Sequence, residues 1–291
     1  MLLEPFRQPY LRRALLQVAL LGVLGGVVGV HVVMRRLAFL TEAVQHAAFP
    51  GIAIAYALGT SLLGGALVGA GAAVALTLAL AARRRVDEDA ALAVIIATFV
   101  ALGVLVVSRR KGYQADLTAR LFGRLSFVTT GQLVQTAVVC VACGALLAAA
   151  HKELVLVAFD RLGAEALGYR EARLDALLFG AVALAVVGAV QVVGAVLVLA
   201  FLVTPAATAR LLTERIGPMM AVAALLGAVG GWLGLAVATE ASVHHDVRLA
   251  TGATVVLVLT ALFVTAGAVH GVATRLGHRR AAAGPAAGGG R

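Results

Sequence analysis

Apolar runs close to bilayer length, separated by short polar interruptions, recur along the chain at residues 14–34, 38–58, 61–82, 90–108, 130–150, 173–190, 191–212, 218–238 and 248–270. A helix needs ~20 residues to cross the hydrocarbon core of a membrane. The pattern therefore predicts an all-α protein, a polytopic membrane helix bundle of eight or nine spans. Two places leave the count open. The second run carries Glu42, His46 and the pair Pro50-Gly51, and residues 173–212 read either as two short spans or as one long span with a break. Broken helices are tolerated in a bilayer only where they line protein or a cavity.

Composition agrees: of 291 residues, 62% are hydrophobic and 13% charged, and the mean hydropathy is +1.00. Soluble domains of this size do not have such a balance. The 24 basic against 14 acidic residues give a formal +10. In a soluble chain this would suggest nucleic acid, but here the arginines stand between spans, where cytoplasmic loops accumulate them. Arg35-Arg36, Arg83-Arg84-Arg85 and the cluster at 275–280 fit a nine-span path with the N-terminus outside and the C-terminus inside. The loop 109–129 does not fit. It carries Arg109, Arg110, Lys111, Arg120 and Arg124 against Asp116, yet that path puts it outside; either it dips into the membrane edge or the count shifts by one. Arg12-Arg13 precede the first run, which has no clear small-residue cleavage site after a short core and reads as a retained span. Residues 1–275 form one transmembrane domain, and 276–291, rich in Ala, Gly and Pro, are expected to be a disordered cytoplasmic tail.

Glu42 and His46 stand out chemically. A charge at the centre of a membrane helix costs ~2.5–3.5 kcal/mol on insertion scales, so such residues usually face a pathway or a partner. Positions four apart lie about 40° from each other on one helix face. Glu42 and His46 can thus hold one ion together, and Pro50-Gly51 just beyond them is expected to break or loosen the helix. Glu240, His244, His245 and Asp246 place four potential ligands in one predicted outer loop; a polar loop between spans needs such residues in any case, and the alternative reading is a cation guide. Cys140 and Cys143 lie inside an apolar span with nothing polar beside them and read as packing residues. His31, His151, His270 and His278 lie near span ends without an acidic partner at helical spacing.

Enzyme classes are poorly supported. No Gly-Lys dipeptide occurs in the chain, which excludes a Gly-x-x-x-x-Gly-Lys-Ser/Thr phosphate loop. A Ser/His/Asp set, a Cys/His pair at plausible depth and paired carboxylates are also missing. Between two spans, Val157-Ala-Phe-Asp160-Arg-Leu-Gly-Ala-Glu165-Ala-Leu-Gly168-Tyr169 reads as a short helix with Asp160 as N-cap and Gly168 as terminator. Two turns do not stand alone, and a capped, partly apolar helix of this kind suits docking into another protein, the alternative being a simple connector.

These segments together resemble the metal-ion permeases of ABC importers, the membrane subunits of zinc, manganese and iron uptake systems. The resemblance runs from Tyr10-Leu-Arg-Arg-Ala-Leu-Leu to about His270. It includes Glu42-Ala-Val-Gln-His46-Ala-Ala-Phe-Pro50-Gly51, Glu88-Asp89-Ala90-Ala91, Leu121-Phe-Gly123, Phe159-Asp160 through Ala166-Leu-Gly168, and Gln191-Val-Val-Gly194 leading to Val203-Thr-Pro205-Ala-Ala-Thr-Ala-Arg210. It implies a type II ABC importer-like permease domain in the bacterial plasma (inner) membrane, pairing as a homodimer over two copies of a separate ATPase. An extracytoplasmic metal-binding protein would deliver the ion. A divalent metal would be the transported substrate, with no cofactor held permanently and no nucleic-acid partner. Family metal handling maps to Glu42 and His46, and the ATPase-coupling helix to Asp160, Leu162, Glu165, Ala166, Leu167 and Gly168. The family usually has Asp where this chain has Glu42, one methylene longer, and often Pro where it has Arg161. Rival readings are an ion-coupled secondary carrier, which would usually show paired repeats and more midplane acids, and a permease of the cobalamin and siderophore branch, which lacks the acid-histidine pair.

Overall fold

The structure, a computed structural model, describes residues 9–81, 88–108, 128–244 and 249–282. Every regular element among them is helical. In the absence of water a spanning backbone must satisfy its own polar groups, and apolar sequences rich in Ala, Leu and Val do so as helices. Helix α1 starts as Pro9–Leu24, passes through a π-helical segment Gly25–Gly29 and continues as Val30–Met34. There follow α2 (Ala38–Ala57), α3 (Leu62–Ala81), α4 (Glu88–Ser108), α5 (Thr130–Ala149), α6 (His151–Phe159), α7 (Arg161–Ala166), α8 (Glu171–Val193), α9 (Ala195–Leu212), α10 (Ile216–His244) and α11 (Thr251–Ala282).

Eight of these helices are long and apolar enough to cross a membrane. The ninth long helix, α2, falls outside that group because Glu42, Gln45, His46 and Pro50 lower its hydropathy, yet it packs within the bundle on α3, α4 and α8. The ambiguity over residues 173–212 resolves into two helices. They are joined by Gly194 alone, whose φ of 84° is a conformation only glycine adopts without strain. Helices α1, α8 and α9 are the most buried, while α5 and α11 lie at the edge.

Three expectations need correction. Pro50-Gly51 does not break α2: the helix runs through both residues, Pro50 is buried, and Gly51 serves as a contact point rather than a loosening. Neighbouring helices support a membrane helix across a proline. Residues 276–282, assigned to the tail, continue α11 to Ala282, since Leu, Arg and Ala extend an existing helix readily. Glu240 and His244 belong to the end of α10 and not to a loop. His245, Asp246, most of the basic loop 109–129 and the tail from 283 lie outside the described residues.

Packing is governed by close backbone approach. A methyl group placed on Gly51 would lie 2.1 Å from the Gly65 carbonyl oxygen, and one on Gly69 would lie 2.2 Å from that of Ala47. Helices α2 and α3 therefore touch main chain to main chain, the mode by which small residues drive association in lipid. The π segment of α1 does the same against α9: methyls on Gly25 and Gly29 would fall 2.1 Å and 2.0 Å from the carbonyl oxygens of Phe201 and Leu202. Pro205 has no N–H for the Phe201 carbonyl four residues back, so this freed acceptor faces the bare Cα of Gly25.

Polar clasps are few. Gln17 Nε2 donates to Thr136 Oγ1 at 2.8 Å inside the bundle, tying α1 to α5. At the start of α5, Thr129 and Gln132 form a reciprocal capping box. Arg35, just past α1, forms a largely buried ion pair with Asp175 in the first turns of α8.

Gly69→Val should drive α2 and α3 apart and destabilise the protein by about 1–3 kcal/mol, the usual range for overpacking. Thermal unfolding in detergent checks this. Gly71→Val, at a position facing open space on the same helix, should show only the small cost of a β-branched residue against glycine, and equal losses in both variants would refute the contact.

Candidate metal centre

Helix α2 is asymmetric. Leu40, Ala43, Val44, Ala47 and Ala48 are buried against the rest of the bundle. Phe39, Glu42, Gln45, His46 and Phe49 lie partly or fully exposed around the opposite side. Both faces follow from the glycine contacts to α3 and from Gly103 of α4, whose missing side chain makes room for the Phe49 ring: a methyl there would lie 2.3 Å from it.

On that outward face the acid and the histidine come together. His46 Nε2 lies 3.8 Å from Glu42 Oε1, and their side chains are 35% and 39% exposed. The distance is too long for a direct hydrogen bond, and it suits two groups converging on a shared ion. Glu42 also borders an open depression of about 330 Å³ formed with Ala38 and Phe39 of α2, the stretch of α9 from Val196 to Thr204, and Val256 of α11. Gln45 leaves its side-chain oxygen buried without a partner. Pro50, in turn, has no N–H to offer the His46 carbonyl four residues back. Around the pair the structure thus holds a carboxylate, an imidazole and under-used oxygen acceptors.

Among the described residues no cluster of three or more His, Cys, Asp and Glu side chains occurs. Among the described residues, one copy of the chain therefore presents two candidate side-chain ligands and no complete cage. Glu240, near the end of α10, is in no such cluster among the described residues.

The second candidate element, α7, stands apart from α2. Asp160 Oδ1 accepts from the Gly163 N–H at 2.8 Å, capping its start. Its end closes through Gly168 at φ 85°, with Gly168 N–H donating to the Glu165 carbonyl at 2.9 Å and Tyr169 N–H to that of Ala164 at 3.0 Å. This is the wrapped C-terminus that glycine favours. Ala164 alone of the helix is buried; Leu162 is 79% and Leu167 70% exposed. Glu165 and Ala166 are exposed as well. Arg161 Nη1 lies 3.0 Å from Glu171 Oε1, bracing the start of α7 on the first turn of α8.

Sequence reasoning missed Phe159, 69% exposed at the end of α6 beside Leu162, and the Arg35–Asp175 pair. Phe159 adjoins the capping Asp160, so adjacency to the cap was the available signal. The ion pair joins residues 140 positions apart, and nothing local in the sequence signals it.

The chain and its fold have counterparts among known proteins. A model of the ABC 3 transport family matches residues 7–270. The manganese transport system membrane protein MntC of Listeria monocytogenes is 33% identical over 258 residues, covering 88% of this chain and 89% of that protein. The chelated iron transport system membrane protein YfeC of Yersinia pestis is 32% identical over 267 residues, covering 91% and 88%. Among solved structures, PsaBC from Streptococcus pneumoniae in complex with Fab superposes with a TM-score of 0.77 at 29% identity, over 89% of this chain and 91% of that one. The chain belongs to the ABC 3 transport family and is a multi-pass protein of the bacterial plasma (inner) membrane.

Proposed function

We propose that the chain is the permease subunit of an ATP-driven importer of divalent metal ions, working as a homodimer with a separate ATPase and an extracytoplasmic metal-binding protein. The observation that carries this reading is the Glu42–His46 pair on the exposed face of a membrane helix. Two ligands are too few for a transition metal, but a twofold axis doubles them to two carboxylates and two imidazoles. Such mixed oxygen and nitrogen ligation suits manganese, iron or zinc better than calcium. The relatives' names, manganese and chelated iron transport, support the same class of cargo.

Coupling to ATP would enter at α7. Its exposed Leu162 and Leu167 form an apolar docking surface on a helix stiffened by both caps. From there a short covalent and electrostatic route leads to the ligands: Gly168 precedes α8, Asp175 of α8 holds Arg35, and Arg35 lies three residues before α2 begins at Ala38. A displacement of α7 would thereby reach the helix that carries Glu42.

Three outcomes test this reading in proteoliposomes holding the permease and its ATPase. Glu42→Ala and His46→Ala should each abolish uptake of manganese, iron or zinc while the protein still inserts and assembles. Uptake at the unmodified rate in both variants removes the site. Glu42→Asp should retain transport and change the ratio of zinc to manganese taken up in competition, because a shorter carboxylate alters how closely two subunits can close on an ion; identical selectivity speaks against direct ligation. Gly168→Val should cost about 1–2 kcal/mol locally, since a β-branched residue resists positive φ, and should lower ATPase stimulation and co-purification. Gly168→Asn, which tolerates that region better, should lose less, and full coupling in the Val variant would make α7 a plain connector.

A further inference from the structure

Beside α7 the helix ends border an open depression of about 390 Å³ lined by four arginines: Arg35 and Arg36 after α1, Arg161 of α7 and Arg210 of α9. Two of them are matched by acids, Arg35 by Asp175 and Arg161 by Glu171. Among the described residues, Arg36 and Arg210 have no carboxylate partner, and Arg210 makes only a long 3.4 Å contact to the Val33 carbonyl. The match of Arg35 is incomplete as well. Its side chain is 4% exposed and one terminal nitrogen holds Asp175, while the other, Nη1, is buried without any acceptor. A buried charged donor left without a partner is costly, and a ligand oxygen would relieve the cost. Arg36 is held at φ 58°, the one non-glycine residue at positive φ among those described, a strain that persists where surroundings over-determine it.

We propose that this depression is an anion-binding site and that its occupant is a side-chain carboxylate of the ATPase subunit. The inference rests on α7 being the surface that meets that subunit. Planar guanidiniums from separate elements match the two oxygens of a carboxylate. The location selects the source. Arg161 is the first residue of α7, and exposed Phe159 lines the same depression, so whatever covers the apolar side of α7 also covers the arginines. The two surfaces then divide the work: Leu162 and Leu167 supply apolar contact, and the arginines fix the register of docking.

The test uses the permease in nanodiscs of neutral phosphatidylcholine and measures its affinity for the ATPase at two salt concentrations. Arg36→Glu/Arg210→Glu should weaken association at least about tenfold and flatten its salt dependence. The milder Arg36→Gln/Arg210→Gln should move the same way, with an unfolding temperature equal to the unmodified protein. Leu162→Asp reads α7 docking separately. If Leu162→Asp abolishes association while both arginine variants bind normally, the carboxylate site is overturned and α7 docking stands. If Leu162→Asp binds normally, the docking reading fails and the site falls with it. A loss in the arginine variants seen only when phosphatidylglycerol is present would assign the depression to an anionic lipid headgroup and overturn the proposal.

Discussion

The contact of α2 with α3 through bare glycine backbone is the constraint on which the candidate site depends. Hydrophobicity cannot orient a helix in a bilayer, because lipid is as apolar as any leucine face. Shape must do it. Gly51, Gly65 and Gly69 let the two main chains meet at distances that no side chain allows, and this single fit decides which side of α2 is covered. Glu42 and His46 are left on the other side, four residues apart and converging. Rotation of α2 by one residue's worth, about 100°, would bury the carboxylate among apolar side chains, where it costs most.

The same economy recurs in the middle of the bundle. At Gly25–Gly29 the first helix adopts π geometry against a stretch of α9 whose carbonyl Pro205 has freed. Two local departures from regular helix are thus placed face to face. Each supplies what the other lacks: a bare Cα on one side and an acceptor without a donor on the other. Single π turns cluster at functional segments, and this one lies between the most buried helices of the protein.

Much of the architecture was legible in the sequence because bilayer thickness imposes a length that composition reveals. The spans, the capped helix after Asp160 and the terminating Gly168 all follow from local rules. Glu42 and His46 were conspicuous as polar residues in an apolar run. Pro50-Gly51 misled, since a proline read in isolation signals a break, whereas packing on α3 and α4 holds the helix through it. The extension of α11 to Ala282 was hidden by a composition scan that weighs Gly and Pro further on more heavily than the helix already running. Asp175 and Arg35 could not be paired from sequence at all: 140 residues separate them, and each alone looks like an ordinary interfacial charge.

Gly194 gives the molecule a joint without slack. Helix-to-helix connections usually take two to eight residues, enough to absorb a shift of one rod against the next. Here α8 and α9 share a single residue at φ 84°, so axial travel of α8 has no loop in which to dissipate. It has to emerge as a swing of α9, and α9 is one wall of the depression that Glu42 borders. In mechanical terms the pair is a crank and not a tether: on the proposed coupling route, force entering beside Asp175 would reach the wall opposite Glu42 as a change of angle.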